Sequence, residues 1–169
     1  SSSDKILKLM RRKYSAAEYQ KLIARARRIC GADFGLTTDI IVGFPSETKE
    51  TFQETYDFIQ KIGFHDLHIF PYSPRPQTAA ASLTQTCPDK EQKAFIARLE
   101  KLRQKLRKDF LQKQKELLVL AENSSGGFSS EYAPVKFTAK VESGQIYRAQ
   151  PLAVKDGIIL ADPVQRFPD

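Results

Sequence analysis

Apolar residues recur at two different periods along this chain, and the change of period divides it. Tyr19, Leu22, Ile23, Ala26 and Ile29 follow helical spacing, behind a capping box in which Ser15 precedes Glu18 by three positions. Gly31 is a natural helix stop. Residues 34–43 then read as a strand ending at Gly43-Phe44-Pro45. Thr48, with Ser46 as the other candidate, caps a second helix striped by Phe52, Tyr56, Ile59 and Ile62 and closed by Gly63. Residues 67–72 predict a second strand, after which Pro71, Pro74 and Pro76 forbid further regular pairing. Strand, helix, strand with tight connections predicts a βαβ unit, its strands parallel and its crossover right-handed.

An Ala, Ser and Thr-rich connector over 78–88 leads to a long helix. It opens at Pro88 or Asp89 and is expected to run to about Glu116. Phe95, Leu99, Leu102, Leu106 and Phe110 form its apolar stripe. Lys101, Arg103, Lys105, Arg107 and Lys108 form the other face, which is either solvated surface or a phosphate contact. From Leu117 the helical period is gone. Residues 117–123, 133–141, 145–154 and 157–164 read as short strands, with turns at Gly126-Gly127, Gly144 and Asp156-Gly157. The expected fold class is therefore α/β: a partial parallel (β/α) barrel with its closing helix over 1–116, then a small all-β barrel over 117–169.

The first strand, TTDIIVGFP, carries a charge where a buried strand normally has none. Alternation puts Thr38, Ile40, Val42 and Phe44 on one face, apolar enough to lie under helices. Thr37, Asp39, Ile41 and Gly43 share the other, which in a parallel barrel looks inward, near the end where such barrels place their chemistry. Asp39 is then either part of a site or a buried carboxylate held by backbone and hydroxyl donors. Gly43 either serves a tight turn or lets a flat ligand approach the backbone.

Charge adds a partner class. The net charge is +7 and the pI near 9.4, which favours an acidic partner, nucleic acid first among them. Tyr132, Lys136, Phe137, Lys140, Tyr147 and Arg148 interleave basic and aromatic residues in the late strands, as RNA-holding surfaces do. Phe137 reads equally as core. No run approaches the roughly 18 apolar residues of a membrane span, and the N-terminal residues lack the apolar centre of a signal peptide. An intracellular, soluble chain is expected. Cys30 and Cys87 stand far apart without a CxxC, and His65 and His68 would point to opposite strand faces, so no metal site is expected from this chain alone.

LKLMRRKY, TTDIIVGFPSETKETFQET, GFHDLHIFPYSPRPQTAA and EYAPVKF together resemble the C-terminal half of a radical-SAM methylthiotransferase, in order and spacing. TTDIIVGFP with LHIFPYS is most similar to the branch that modifies threonylcarbamoyladenosine in tRNA. PRPQTAA is closer to the isopentenyladenosine branch. The resemblance implies a radical-SAM barrel followed by a TRAM domain that binds tRNA, S-adenosylmethionine as cofactor, and two 4Fe-4S clusters in the full-length enzyme. It implies a cytoplasmic enzyme that adds a methylthio group to the adenosine beside the anticodon. Arg12, Asp39, Val42, Gly43, Phe44, Pro45, Phe70 and Tyr72 would border the cofactor. Arg12 would pair with its carboxylate. Tyr72, Arg75, Tyr132, Lys136, Lys140 and Arg148 would meet RNA. Neither Cys30 nor Cys87 matches the family's cluster ligands, so this chain is expected to be a fragment without catalytic or metal residues of its own. The other expectation is a free-standing RNA-binding module. Exposed barrel edges of such a fragment would pair, giving a dimer or a swap. The family usually has glycine where Ser46 and Gln77 stand, positions at which glycine would permit a positive φ.

Overall fold

The computed structural model describes residues 1–31 and 34–168. Among the described residues, five helical and seven strand segments follow one another, in two compact units, Ser1–Leu106 and Arg107–Asp169.

The first unit opens with α1 (Asp4–Leu9), a short helix that the apolar periodicity did not mark. In α2 (Ala16–Cys30) the capping box forms as expected: Glu18 N donates to Ser15 Oγ at 3.2 Å, and Ser15 N donates to Glu18 Oε2 at 2.7 Å. Its apolar stripe is wider than its buried face. Ile23 is buried and Tyr19 packs on the core, but Leu22 and Ile29 are 59% and 70% exposed. At about 100° per residue those two lie a quarter turn or more from Ile23.

Strand β1 (Thr37–Val42) and strand β2 (Asp66–Pro71) pair in parallel, with Asp39 opposite His68 and Ile41 opposite Phe70. Helix α3 (Lys49–Ile62) is the crossover between them. Thr48, not Ser46, is its N-cap, and Gly63 in the left-handed region closes it. The apolar face of β1 is buried as read: Ile40, Val42 and Phe44 are 3%, 1% and 5% exposed. Ile40 and Val42 pack with Phe52, Ile59 and Ile62 of α3 and with Phe95, Leu99 and Leu102 of α4 (Asp89–Leu111). Phe52 and Phe95 stack at 3.9 Å between centroids, and the Arg98 guanidinium lies over Phe52 and Tyr56. A single 3₁₀ turn, Ala79–Ser82, interrupts the connector.

Helix α4 ends five residues before the expected Glu116. Lys113 N and Gln114 N turn to carbonyls three residues back, Phe110 and Leu111, which tightens the last turn and frees the chain to enter a strand. The second unit takes Phe110 and Leu111 into its own core. There β3 (Leu117–Asn123), β4 (Gly126–Ser129), β5 (Pro134–Phe137), β6 (Ile146–Lys155) and β7 (Ile158–Phe167) close a barrel in the order β3-β4-β5-β7-β6. All neighbours are antiparallel except β5 and β7. Val119, Ala121, Ala149, Ile159 and Ala161 are 0% exposed and fill it.

Gly126 and Gly127 are not the turn they were expected to be. They lie in β4, and a Cβ on Gly127 would stand 1.8 Å from the Leu120 carbonyl oxygen. Here glycine allows two strands to approach, a role that composition does not separate from a turn. The strand expected over 133–141 is also shorter, because the chain leaves the ladder after Phe137.

Candidate functional site

A cavity of about 610 Å³ opens beside the two parallel strands of the first unit, within the usual ~300–1,000 Å³ of small-molecule sites. Segments far apart in sequence line it, α3 among them through Thr55, Phe58 and Ile59. Met10, Arg12 and Tyr14 come from the α1–α2 passage, Asp39, Ile41 and Phe44 from β1 and its exit, and Phe70, Tyr72, Ser73 and Arg75 from β2 and beyond.

Of the residues singled out in sequence for this region, Arg12, Asp39, Phe44, Phe70, Tyr72 and Arg75 meet in this one cavity. Val42, Gly43 and Pro45 stand behind it. Val42 is in the core, Pro45 is fully buried, and the space a Gly43 Cβ would need is filled by the Gln92 side chain at 2.3 Å. Asp39 is exposed and lines the cavity, so it is not the buried, backbone-satisfied carboxylate that was its alternative.

The exit of β1 is held by side chains that sequence inspection missed. Gly43, at φ +77°, donates its N–H to Glu47 Oε2 at 2.6 Å. Gln92 Nε2 donates to the Val42 carbonyl at 3.0 Å, and Gln85 Nε2 to the Gly43 carbonyl at 2.9 Å. The Val42 carbonyl also accepts from Tyr72 N at 2.7 Å, tying the two strand ends together. Glu47 is 3% exposed, and burial raises its pKa above the ordinary 4.5. A glutamate directly behind Gly-Phe-Pro-Ser was the only signal, and the two glutamines lie 42 and 50 positions from the backbone carbonyls they meet.

Ser46 and Gln77 both have positive φ, 70° and 65°. These are the two positions at which the family was expected to carry glycine. The backbone conformation is kept while the residue best suited to it is absent.

Tyr72 stands edge-on to Phe44, with centroids 5.2 Å apart. Its hydroxyl is buried without a hydrogen-bond partner among the described residues. A buried orphan donor in a cavity wall is what a ligand would satisfy. With the guanidinium of Arg12 in the same wall, these residues fit a molecule with a carboxylate, polar groups and a flat apolar part, as S-adenosylmethionine has. Iron–sulfur ligation does not fit this chain. No group of three His, Cys, Asp or Glu able to hold a metal occurs among the described residues. Cys30 is exposed and Cys87 buried, and burial pushes the Cys87 thiol up to about 11, away from the thiolate a cluster needs.

The barrel unit has its own candidate surface. Phe128, Leu120, Ile146 and Phe167 are neighbours in strand register across β4, β3, β6 and β7. All four are 37–49% exposed, so they form one apolar row on the outside. The Arg148 guanidinium lies 4.9 Å over the Phe167 ring and pairs with Glu116 at 2.7 Å. Lys136 and Lys140 are exposed, and Tyr132, at φ 56°, is 83% exposed. Phe137 is core, at 5%. Tyr147 packs on it, and its hydroxyl accepts from Glu142 N.

The family model of the radical SAM superfamily matches residues 1–59. A threonylcarbamoyladenosine tRNA methylthiotransferase of Aquifex aeolicus is 38% identical over 153 residues, 88% of this chain and 36% of that protein. A tRNA-2-methylthio-N(6)-dimethylallyladenosine synthase of Corynebacterium efficiens is 36% identical over 164 residues, 94% of this chain and 30% of that protein. Another synthase of that name, from Endomicrobium trichonymphae, is 50% identical over 93 residues, 55% of this chain and 22% of that protein. The chain thus spans about a third or less of the length of these relatives. The resemblance read from its motifs is borne out over most of its own length.

Proposed function

We propose that this chain is part of a tRNA methylthiotransferase that adds a methylthio group to a modified adenosine beside the anticodon. The carrying observation is the convergence of Arg12, Asp39, Phe44, Phe70, Tyr72 and Arg75 on one cavity at the ends of two parallel strands. Residues 1–116 contribute the end of a radical-SAM barrel, and residues 117–169 a TRAM-like RNA-binding barrel.

In this reading Arg12 holds the carboxylate of S-adenosylmethionine by paired N–H donors. The Tyr72 hydroxyl donates to a polar group of the bound molecule, and Phe44 fixes the Tyr72 ring. S-adenosylmethionine, when bound, supplies the methyl group and the radical chemistry. Arg75 stands where the target nucleotide enters, and Tyr132, Lys136, Lys140 and Arg148 hold the RNA. No step is assigned to iron–sulfur clusters through this chain, because its residues do not fit their ligation. The free outer edges of β1 and β2 offer backbone groups for association with another chain. A cytoplasmic location follows from the tRNA substrate, and no helix among the described residues is long and apolar enough to cross a membrane.

Threonylcarbamoyladenosine is the preferred substrate, on the TTDIIVGFP and LHIFPYS segments and the Aquifex aeolicus relative. The second reading, an isopentenyl-type adenosine, rests on PRPQTAA and the Corynebacterium efficiens relative. Mass spectrometry of tRNA nucleosides from cells with and without the intact gene tests both. Loss of the methylthio form of threonylcarbamoyladenosine supports the first. Loss of the isopentenyl form supports the second, and an unchanged nucleoside profile refutes both.

A further inference from the structure

The basic excess of this protein is not spread evenly, and it is not where an RNA-binding barrel would put it. Residues 107–169 carry nine Lys and Arg against eight Asp and Glu, a balance of +1. Residues 4–30 carry nine basic residues against the two acids Asp4 and Glu18, a balance of +7. That equals the +7 of the whole chain, so all other residues together sum to zero.

The segment is α1, α2 and the passage between them. Arg11, Arg12 and Lys13 are exposed in the passage, and Lys21, Arg25 and Arg28 are exposed on α2. Lys21, Arg25 and Arg28 lie within about 60° of one another around the helix axis. They face away from the buried Ile23. None of the six joins an ion pair among the described residues. Glu18, three positions before Lys21, offsets part of this charge, and the remaining like-charged row destabilises the free protein by self-repulsion, which a polyanion would relieve. The row also begins at the cavity, since Arg12, Tyr14, Ala16 and Tyr19 are in its wall.

We propose that the α1–α2 surface is the main phosphate-contacting face for RNA, carrying the backbone of a tRNA whose target nucleotide enters the adjoining cavity. This rests on the tRNA reading above and adds to it a binding face separate from the barrel. The barrel then contributes apolar and stacking contacts through its outer row, and only a small share of the charge.

The test is anisotropy of fluorescently labelled tRNA with the 169-residue chain across a series of salt concentrations. The triple variant Lys21→Gln/Arg25→Gln/Arg28→Gln retains good helix formers. It should weaken binding about tenfold or more and lower the log–log salt slope by about one for each phosphate the variant no longer neutralises. Lys136→Gln/Lys140→Gln/Lys155→Gln in the barrel should change that slope less. Lys21→Arg, which keeps the charge, should retain the wild-type slope. An α2 triple variant within twofold of wild type, or a barrel variant that loses more slope than it does, overturns the proposal while leaving the tRNA reading intact. Binding of the α2 surface to anionic phospholipid vesicles with no retention of tRNA at low salt overturns both.

Discussion

Arg103 Nε donates to Asp66 Oδ1 at 2.6 Å, joining α4 to the first residue of β2. The same oxygen accepts the Leu67 N–H at 2.8 Å. Asp66 is 6% exposed, while the Arg103 side chain is 37% exposed. The pair therefore lies between the ~0–1 kcal/mol of exposed ion pairs and the ~3–5 kcal/mol lost when a buried one is broken. Arg103→Met should cost about 1–3 kcal/mol, read as a lower urea midpoint for the α/β unit. Arg103→Lys should recover only part of it, because an ammonium lacks the planar Nε donor.

The strained turns give a prediction of opposite sign. Ser46 and Gln77 occupy left-handed backbone at φ 70° and 65°, which costs a non-glycine residue about 1–2 kcal/mol. Glycine loses more chain entropy on folding, which offsets part of the gain. Ser46→Gly and Gln77→Gly should each stabilise the chain by up to about 1 kcal/mol. Gly43→Ala should destabilise it, since φ is +77° and the new methyl would displace the Gln92 amide from its bond to Val42. A urea midpoint that falls for both glycine variants would refute the strain.

Much of this was legible in the chain, for local reasons. The capping box at Ser15, the cap at Thr48 and the alternation through Ile40, Val42 and Phe44 are set by neighbours in sequence, and each was found. The clasp of Glu47, Gln85 and Gln92 on the β1 exit was not. Glutamine amides bonding to backbone 42 and 50 positions away have no periodic signature. Gly126 and Gly127 were misread for a related reason: the pressure for glycine came from the facing strand, not from the local bend. Leu22 and Ile29 failed differently, because spacing alone does not say how wide the covered face is.

Glu47 makes stability depend on pH with a sign contrary to that of most carboxylates. Burial holds its folded pKa above the ordinary 4.5. The folded state then binds the proton more tightly than the unfolded one, and Glu47 favours folding fully only below about 4.5. That contribution is lost as pH rises through the raised folded value. Glu47→Gln keeps an oxygen for the Gly43 N–H and should flatten this part of the profile, with its largest relative gain near neutral pH. Urea titrations of both proteins between pH 4 and 8 should diverge as pH rises. Parallel curves would mean that Glu47 ionises in the folded state as it does in the unfolded one.

Tyr72→Phe separates a ligand-binding hydroxyl from a structural one. Its Oη is buried with no partner among the described residues. Removing a hydrogen bond to protein would cost about 0.5–1.5 kcal/mol, whereas removing an unsatisfied buried hydroxyl is neutral or stabilising. Phe keeps the ring that meets Phe44 edge-on at 5.2 Å. The variant should therefore unfold at the same or a slightly higher urea concentration than wild type. Under the proposed function it should still lower formation of the methylthio nucleoside, measured by mass spectrometry of tRNA from cells carrying the substituted gene. A clear loss of stability would show that the hydroxyl holds the fold. Unchanged stability with unchanged modification would remove Tyr72 from the site.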